Sequence, residues 1–131
     1  MITESKFLST LKIESREDSE NIWVLTAPLI YQSKVLDKII EVPVLFQTDL
    51  ASVPRIPFIF EAWGNRAHYE AVLHDFGYRI DSGLAFMEAN DLFLEAMMVR
   101  GKTTGIRYPM YWGVVIAGYS SFQKKYIGDR L

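Results

Sequence analysis

The sequence predicts an α+β fold: a small antiparallel sheet of about four to five strands followed by three helices. Three observations carry this expectation. Up to Thr48 the chain is built of short β-branched and aromatic runs separated by close turn signals. From Arg66 onward the apolar residues fall into a helical rhythm. Between these parts lie Pro54 and Pro57, which break both patterns.

The strands come first. Leu11-Lys12-Ile13 alternates after Phe7-Leu8 and reads as the first strand. Ser15 to Asn21 is a charged turn. Ile22 to Thr26 is a β-rich run stopped by Pro28. Leu29 to Tyr31 continues extended, Asp37 and Lys38 sit near a turn, and Ile39 to Val42 is the next strand. Leu45 to Thr48 forms a further short one. Residues 49–65 are a proline-rich loop in which Asp49 can cap a turn and Phe58 to Trp63 a single helical turn ended by Gly64-Asn65.

The three-helix part spans 66–126. Ala67, Ala71, His74 and Tyr78 share one face, so His74 occupies a position expected to be apolar. Asp81-Ser82-Gly83 is a turn. The second helix runs from Phe86 to Val99 with Phe86, Ala89, Phe93, Ala96 and Met97 on one stripe, and Gly101 stops it. Lys102 to Tyr108 is a loop. Pro109 suits the first turn of a third helix reaching about Tyr126, in which Gly113 and Gly118 permit close backbone approach. With 131 residues the chain is expected to be one domain, 1–131.

Bulk composition narrows the function. Half the residues are hydrophobic, enough for a sizeable core. A net charge of -2 gives no electrostatic case for a nucleic-acid partner, although Arg100, Lys102, Arg107 and Lys124-Lys125 form a local basic patch. With no cysteine, disulfides and thiolate metal sites are excluded. No signal peptide and no membrane span is expected: the apolar-leaning run Tyr108 to Tyr119 holds Pro109 and two glycines and is too short. A location in the host cytoplasm or in a virion is the expectation.

The polar residues of the helical part offer the chemistry. His74 and Tyr78 stand one helical turn apart, and Asp75 points to the adjoining face. Asp91, arriving from the return helix, is the expected partner of His74. A carboxylate on one ring nitrogen fixes the tautomer and leaves the other nitrogen as a base. Asp75 and Asp49 are the metal candidates, for a hard divalent cation. Ser52 is an alternative nucleophile, against which stands the lack of flanking elbow glycines. His68 is six residues before His74, not on its face, and is read as partly exposed. The same residues have a plainer reading, as a polar network fixing the helix pair. Tyr108, Tyr111, Trp112 and Tyr119 are expected to pack in the core, and Arg100, Lys102 and Arg107 to form a solvated helix end.

The order Val42-Pro43, Phe46-Gln47-Thr48-Asp49-Leu50-Ala51-Ser52-Val53-Pro54-Arg55, Trp63-Gly64, Ala71-Val72-Leu73-His74-Asp75 with Tyr78, Asn90-Asp91 with Phe93, Ala96-Met97 and Met110-Tyr111 resembles the phage and prophage family labelled domain of unknown function 1353. The resemblance covers residues 22 to 119. Three departures stand out: Leu45 where the family usually has glycine, Asn90-Asp91 where it usually has Ala-Asp, and Val114-Val115-Ile116 where it often has an arginine. His74-Asp75 with Tyr78 and a later aspartate is also similar to the two-helix core of phospholipases A2, notably the viral capsid type. That likeness implies that His74 activates water, Asp75 binds calcium, Asp91 orients His74 and Tyr78 supports it. The glycine-rich calcium loop of those enzymes has no counterpart here.

Two functions follow as expectations. One is a phage- or prophage-derived, metal-assisted hydrolase. In it His74 is the general base, Asp91 its orienter, Tyr78 a support, and Asp75 with Asp49 hold calcium or zinc. Its substrate would be an ester or amide of the cell envelope. The other is a non-catalytic virion or assembly protein, tail- or capsid-associated, bound to other phage structural proteins. A small inhibitor of a host defence system is a third, weaker alternative.

Overall fold

Period-two alternation sets the sheets. In Leu29–Ser33 the side chains of Leu29, Tyr31 and Ser33 are buried and those between them half-exposed. In Lys38–Val42 the buried positions are Ile40 and Val42. The two segments pair antiparallel with Leu29 opposite Val42 and Tyr31 opposite Ile40, so both buried rows fall on one face.

The computed structural model describes residues 1–50 and 68–131. Its strands are β1 Lys6–Phe7, β2 Ile13–Ser15, β3 Trp23–Leu25, β4 Leu29–Ser33, β5 Lys38–Val42 and β6 Gln47–Thr48. Its helices are α1 His68–Gly77, α2 Phe86–Val99 and α3 Thr104–Ala117, followed by a 3₁₀ turn, Gly118–Ser121. The expected α+β class holds. The strands form two three-stranded antiparallel sheets, ordered β1-β4-β5 and β2-β3-β6, where the sequence predicts a single sheet. Residues 51–65 of the proline-rich loop, with Ser52 and the helical turn at 58–63, lie outside the described residues.

Two apolar clusters hold these elements. Leu25, Leu29, Tyr31, Val42, Phe46, Val72, Leu73 and Leu92 join the sheets to α1 and α2. Ala71, Phe93, Met97, Met110 and Val114 fill the space between the three helices. A polar clasp adds to the first cluster: Glu95 of α2 accepts the Tyr31 hydroxyl and the Val35 N–H, each at 2.8 Å.

The second helix matches its expected bounds. Ala85 has no side-chain oxygen to cap it, and Glu88 reaches back to accept the Ala85 N–H at 2.9 Å. Gly101, at φ 80°, ends it in the left-handed conformation that glycine allows. The third helix is displaced from its expected bounds. It starts at Thr104 because the Thr103 carbonyl accepts Ile106 and Arg107 N–H groups and closes a turn before Pro109. Pro109 sits inside the helix, where its missing N–H leaves only the carbonyl of exposed Gly105 without that bond. It ends at Ala117 rather than near Tyr126. Gln123, at φ 55°, turns the chain back so that its N–H meets the Tyr78 carbonyl at 2.8 Å.

Candidate functional site

The α1 helix and the start of α2 approach closely at Gly77, where an added Cβ would lie 2.9 Å from that of Ala89. That approach brings residue 90 onto His74. His74 Nε2 lies 2.9 Å from Asn90 Oδ1, and the Tyr78 hydroxyl donates to the same oxygen at 2.8 Å. Two donors on one carbonyl oxygen fix the Nε2–H tautomer of His74 and leave Nδ1 as a lone pair. Nδ1 is buried and has no hydrogen-bond partner among the described residues. The imidazole is 1% exposed, and burial pulls its pKa down to about 4, with the Asn90 bond acting the other way. His74 is therefore neutral at physiological pH.

The His74 and Tyr78 rings meet one turn apart, tilted at 51° with centroids 4.1 Å apart. Gly118 makes room for Tyr78: a Cβ there would stand 2.2 Å from its hydroxyl oxygen. Phe122 closes the far side of the ring edge to face at 5.4 Å.

These residues line a cleft of about 370 Å³. One wall is Asp49, His74, Asp75, Tyr78 and Arg79. The other is α3 at Gly113, Val114 and Ala117, with Gly118, Ser120, Ser121, Lys124 and Lys125. Three sequence-predicted residues from two segments, Asp49, His74 and Asp75, thus face one space. Tyr78 joins them.

Asp91 does not. Its carboxylate accepts the Tyr111 hydroxyl at 2.8 Å, and burial and that partner push the tyrosine up to about 12. The expected His74–Asp91 pair is replaced by His74–Asn90. On α2 the step from 90 to 91 is a rotation of about 100°. Asn90 lies four residues after Phe86 and three before Phe93, within the apolar stripe, whereas Asp91 lies off it. The stripe itself was the signal that would have selected Asn90.

Arg79 is the second functional residue that sequence reasoning missed. It is buried and donates to Asp75 at 3.1 Å, to the Gln47 carbonyl at 2.8 Å and to the Tyr126 carbonyl at 3.0 Å. Its guanidinium also lies over the Phe46 ring, 4.6 Å from the centroid. It ties α1, β6 and the C-terminal tail at the cleft floor. Its i,i+4 spacing from Asp75 was the available sign. Burial raises the Asp75 pKa, the Arg79 charge and the Thr48 hydroxyl lower it, and the Asp49 charge raises it.

The expected calcium or zinc finds no fitting ligand set here. Asp75 spends an oxygen on Arg79, Asp49 is exposed, and among the described residues no three His, Cys, Asp or Glu side chains come together to hold a metal. His68 is half-buried near Trp23, as expected, and its pKa is lowered by burial. Tyr108, Trp112 and Tyr119 depart from expectation: they are exposed rather than packed in the core, while Tyr111 is half-buried against Asp91. Arg100 and Lys102 also differ from a solvated helix end, since both face the fully buried Glu70, at 3.6 and 3.8 Å.

A family model described as a protein of unknown function, DUF1353, matches residues 23–114, more than half of the chain. No curated protein and no solved structure matches it. Among the described residues no helix is long and apolar enough to cross a membrane.

Proposed function

The chain belongs to DUF1353, a family whose description assigns no activity, and from that premise we propose that it is a phage- or prophage-derived general-base hydrolase acting on an ester or amide of the cell envelope. One observation carries the proposal. His74 lies in the lining of a cleft with its buried Nδ1 left without a hydrogen-bond partner among the described residues, while its Nε2–H is held by Asn90. A base held by an orienter, beside room for a water and an acyl group, is the minimal arrangement for hydrolysis.

Water in the cleft gives a proton to His74 Nδ1 as its oxygen bonds to the carbonyl carbon. The tetrahedral intermediate then collapses, and the imidazolium returns the proton to the leaving oxygen or nitrogen. Asn90 keeps the ring from turning, and Tyr78 holds Asn90. Lys124 and Lys125, on the opposite wall, place positive charge where the oxyanion develops. In this reading His74 is the base and Tyr78 its support, as the phospholipase A2 likeness implies, while Asn90 takes the orienting place expected of Asp91 and Asp75 holds no calcium.

The test compares the wild-type chain with His74→Gln on chromogenic acyl esters and on purified envelope material. A rate lost by roughly a hundredfold or more, with an unchanged melting curve, supports a base role. Turnover equal in both proteins, or absent from the wild type on every substrate, overturns it.

A second reading has its own support. His74 is only 1% exposed and is held neutral by burial, as a structural histidine would be. In that reading the protein is a non-catalytic virion or assembly component, and the network fixes α1 against α2. His74→Gln would then lower stability and cost no activity.

A further inference from the structure

The α3 helix and the turn after it present an apolar stripe to solvent. Tyr108, Trp112 and Ile116 follow at four-residue spacing and Tyr119 comes three later, so all four fall on one side. They are 43%, 56%, 80% and 70% exposed. The face opposite them, Met110 and Val114, is the buried one. Scattered exposed apolar residues need no explanation, but an aligned aromatic and aliphatic row does.

Charge says what the row faces. Residues 1–99 carry eight Lys and Arg against fifteen Asp and Glu, a formal -7. Residues 100–131 carry six against one, a formal +5. Arg100 and Lys102 take Glu70 as counter-ion, and Arg130 takes Asp18. Lys124 and Lys125 are exposed and have no acidic partner among the described residues. An acidic protein thus concentrates positive charge in residues 100–131, the same segment that carries its exposed Trp and Tyr row.

We propose that this face docks on an anionic lipid surface, with the Trp112 and Ile116 side chains entering the headgroup boundary and Lys124 and Lys125 meeting lipid phosphates. Trp and Tyr combine an apolar body with a polar tip suited to that boundary, and lysine stems reach past apolar contacts to charge. Ile116, the most exposed of the four, decides against nucleic acid: an aliphatic side chain neither stacks on bases nor reads them. The proposal stands apart from the hydrolase reading, since binding needs no turnover.

The test is flotation of the full chain with vesicles of phosphatidylcholine alone and of phosphatidylcholine with phosphatidylglycerol. Binding to the anionic vesicles, weakened by salt, is the expected result. Lys124→Gln with Lys125→Gln lowers that partitioning roughly 30-fold. Trp112→Ser with Ile116→Ser, both at exposed positions, lowers it at least about tenfold. Equal binding by the serine variant, or no binding to either vesicle, overturns the proposal. So does a wild-type dimer that Ile116→Ser dissociates, which would make the stripe an interface between copies. Capture of an oligonucleotide, lost in the same variants, with no vesicle binding overturns it as well.

Discussion

His74 Nε2 and Asn90 Oδ1 stand 2.9 Å apart across the contact between α1 and α2, and Nδ1 on the other side of the ring is left without a partner. The orienter is neutral. It fixes the ring's tautomer but gives no counter-charge to an imidazolium, so burial prevails and His74 remains a weak base near 4.

Replacing Asn90 by Asp supplies that counter-charge. The imidazole pKa is expected to rise by more than about one unit, because an opposite charge at hydrogen-bond distance favours the protonated ring. An NMR titration of the His74 ring protons reads it directly. Asn90→Ala instead leaves the imidazole N–H unpaired in the interior and the Tyr78 hydroxyl with only the Val114 carbonyl at 3.4 Å, at a cost of roughly 1–3 kcal/mol. An unshifted His74 titration in Asn90→Asp would remove Asn90 as its partner.

Gly118 serves the same network by absence. Its φ of −79° suits any residue, so only the Tyr78 contact opposes a side chain there. Gly118→Ala pushes the Tyr78 hydroxyl off Asn90 and is expected to cost roughly 1–3 kcal/mol in thermal unfolding. In a double-mutant cycle Tyr78→Phe, which removes the clashing oxygen, absorbs part of that cost. Strict additivity of the two changes would mean that the glycine is there for another reason.

How much of this was legible in the sequence depends on what each signal encodes. The bounds of α2 were readable because its apolar stripe and Gly101 are local. Strand identity was readable at Leu29–Ser33 for the same reason, but alternation names a buried face and not a neighbour, so the split into two sheets was not. Pro109 misled because proline marks a first turn only when no earlier carbonyl has begun the helix, and Thr103 had. Chemical type points to Asp91, whereas helix phase decides contact and brings Asn90 to His74. The exposed Tyr108 and Trp112 show the reverse: aromatic type predicted a core that helix phase did not supply.

Arg79 and Asp75 are unequal partners. Arg79 keeps two main-chain carbonyls if Asp75 is neutralised, so Asp75→Asn is expected to cost about 1–2 kcal/mol. Arg79→Met strands a largely buried carboxylate and frees both β6 and the tail, at roughly 3–5 kcal/mol. Denaturant midpoints of the two variants measure the asymmetry. Equal losses would show that the ion pair itself, and not the arginine's bridging, holds the cleft floor.

Two buried groups set opposite pH slopes. Burial lifts Glu70 to about 7, against the charges of Lys102 and Arg100. A raised carboxyl contributes stability that is full below its unfolded value of 4.5 and is lost as pH rises through 7. His74, lowered from 6.5 to about 4, contributes stability present above 6.5 and lost as pH falls through 4. Between 4.5 and 6.5 the slopes of these two groups oppose and largely cancel each other. Glu70→Gln removes one of them, so its stability falls by roughly 3 kcal/mol on acidification from 6.5 to 4. Urea midpoints across that range would count against this if the variant ran parallel to the wild type.

Leu45 is held in the left-handed region that favours glycine: its φ is 72°, with its N–H held by the Leu25 carbonyl at 2.8 Å. A side chain in that conformation costs roughly 1–2 kcal/mol. Glycine relieves this but loses about 0.5–1 kcal/mol more chain entropy on folding. Leu45 is 72% exposed, so little packing is given up. Leu45→Gly is therefore expected to stabilise the fold by about 0.5–1 kcal/mol, read as a rise in melting temperature. Leu45→Ala is the control, since it keeps the Cβ that makes the conformation costly and should bring no gain. A melting temperature lowered by glycine would show that the leucine side chain contributes packing that its exposure conceals.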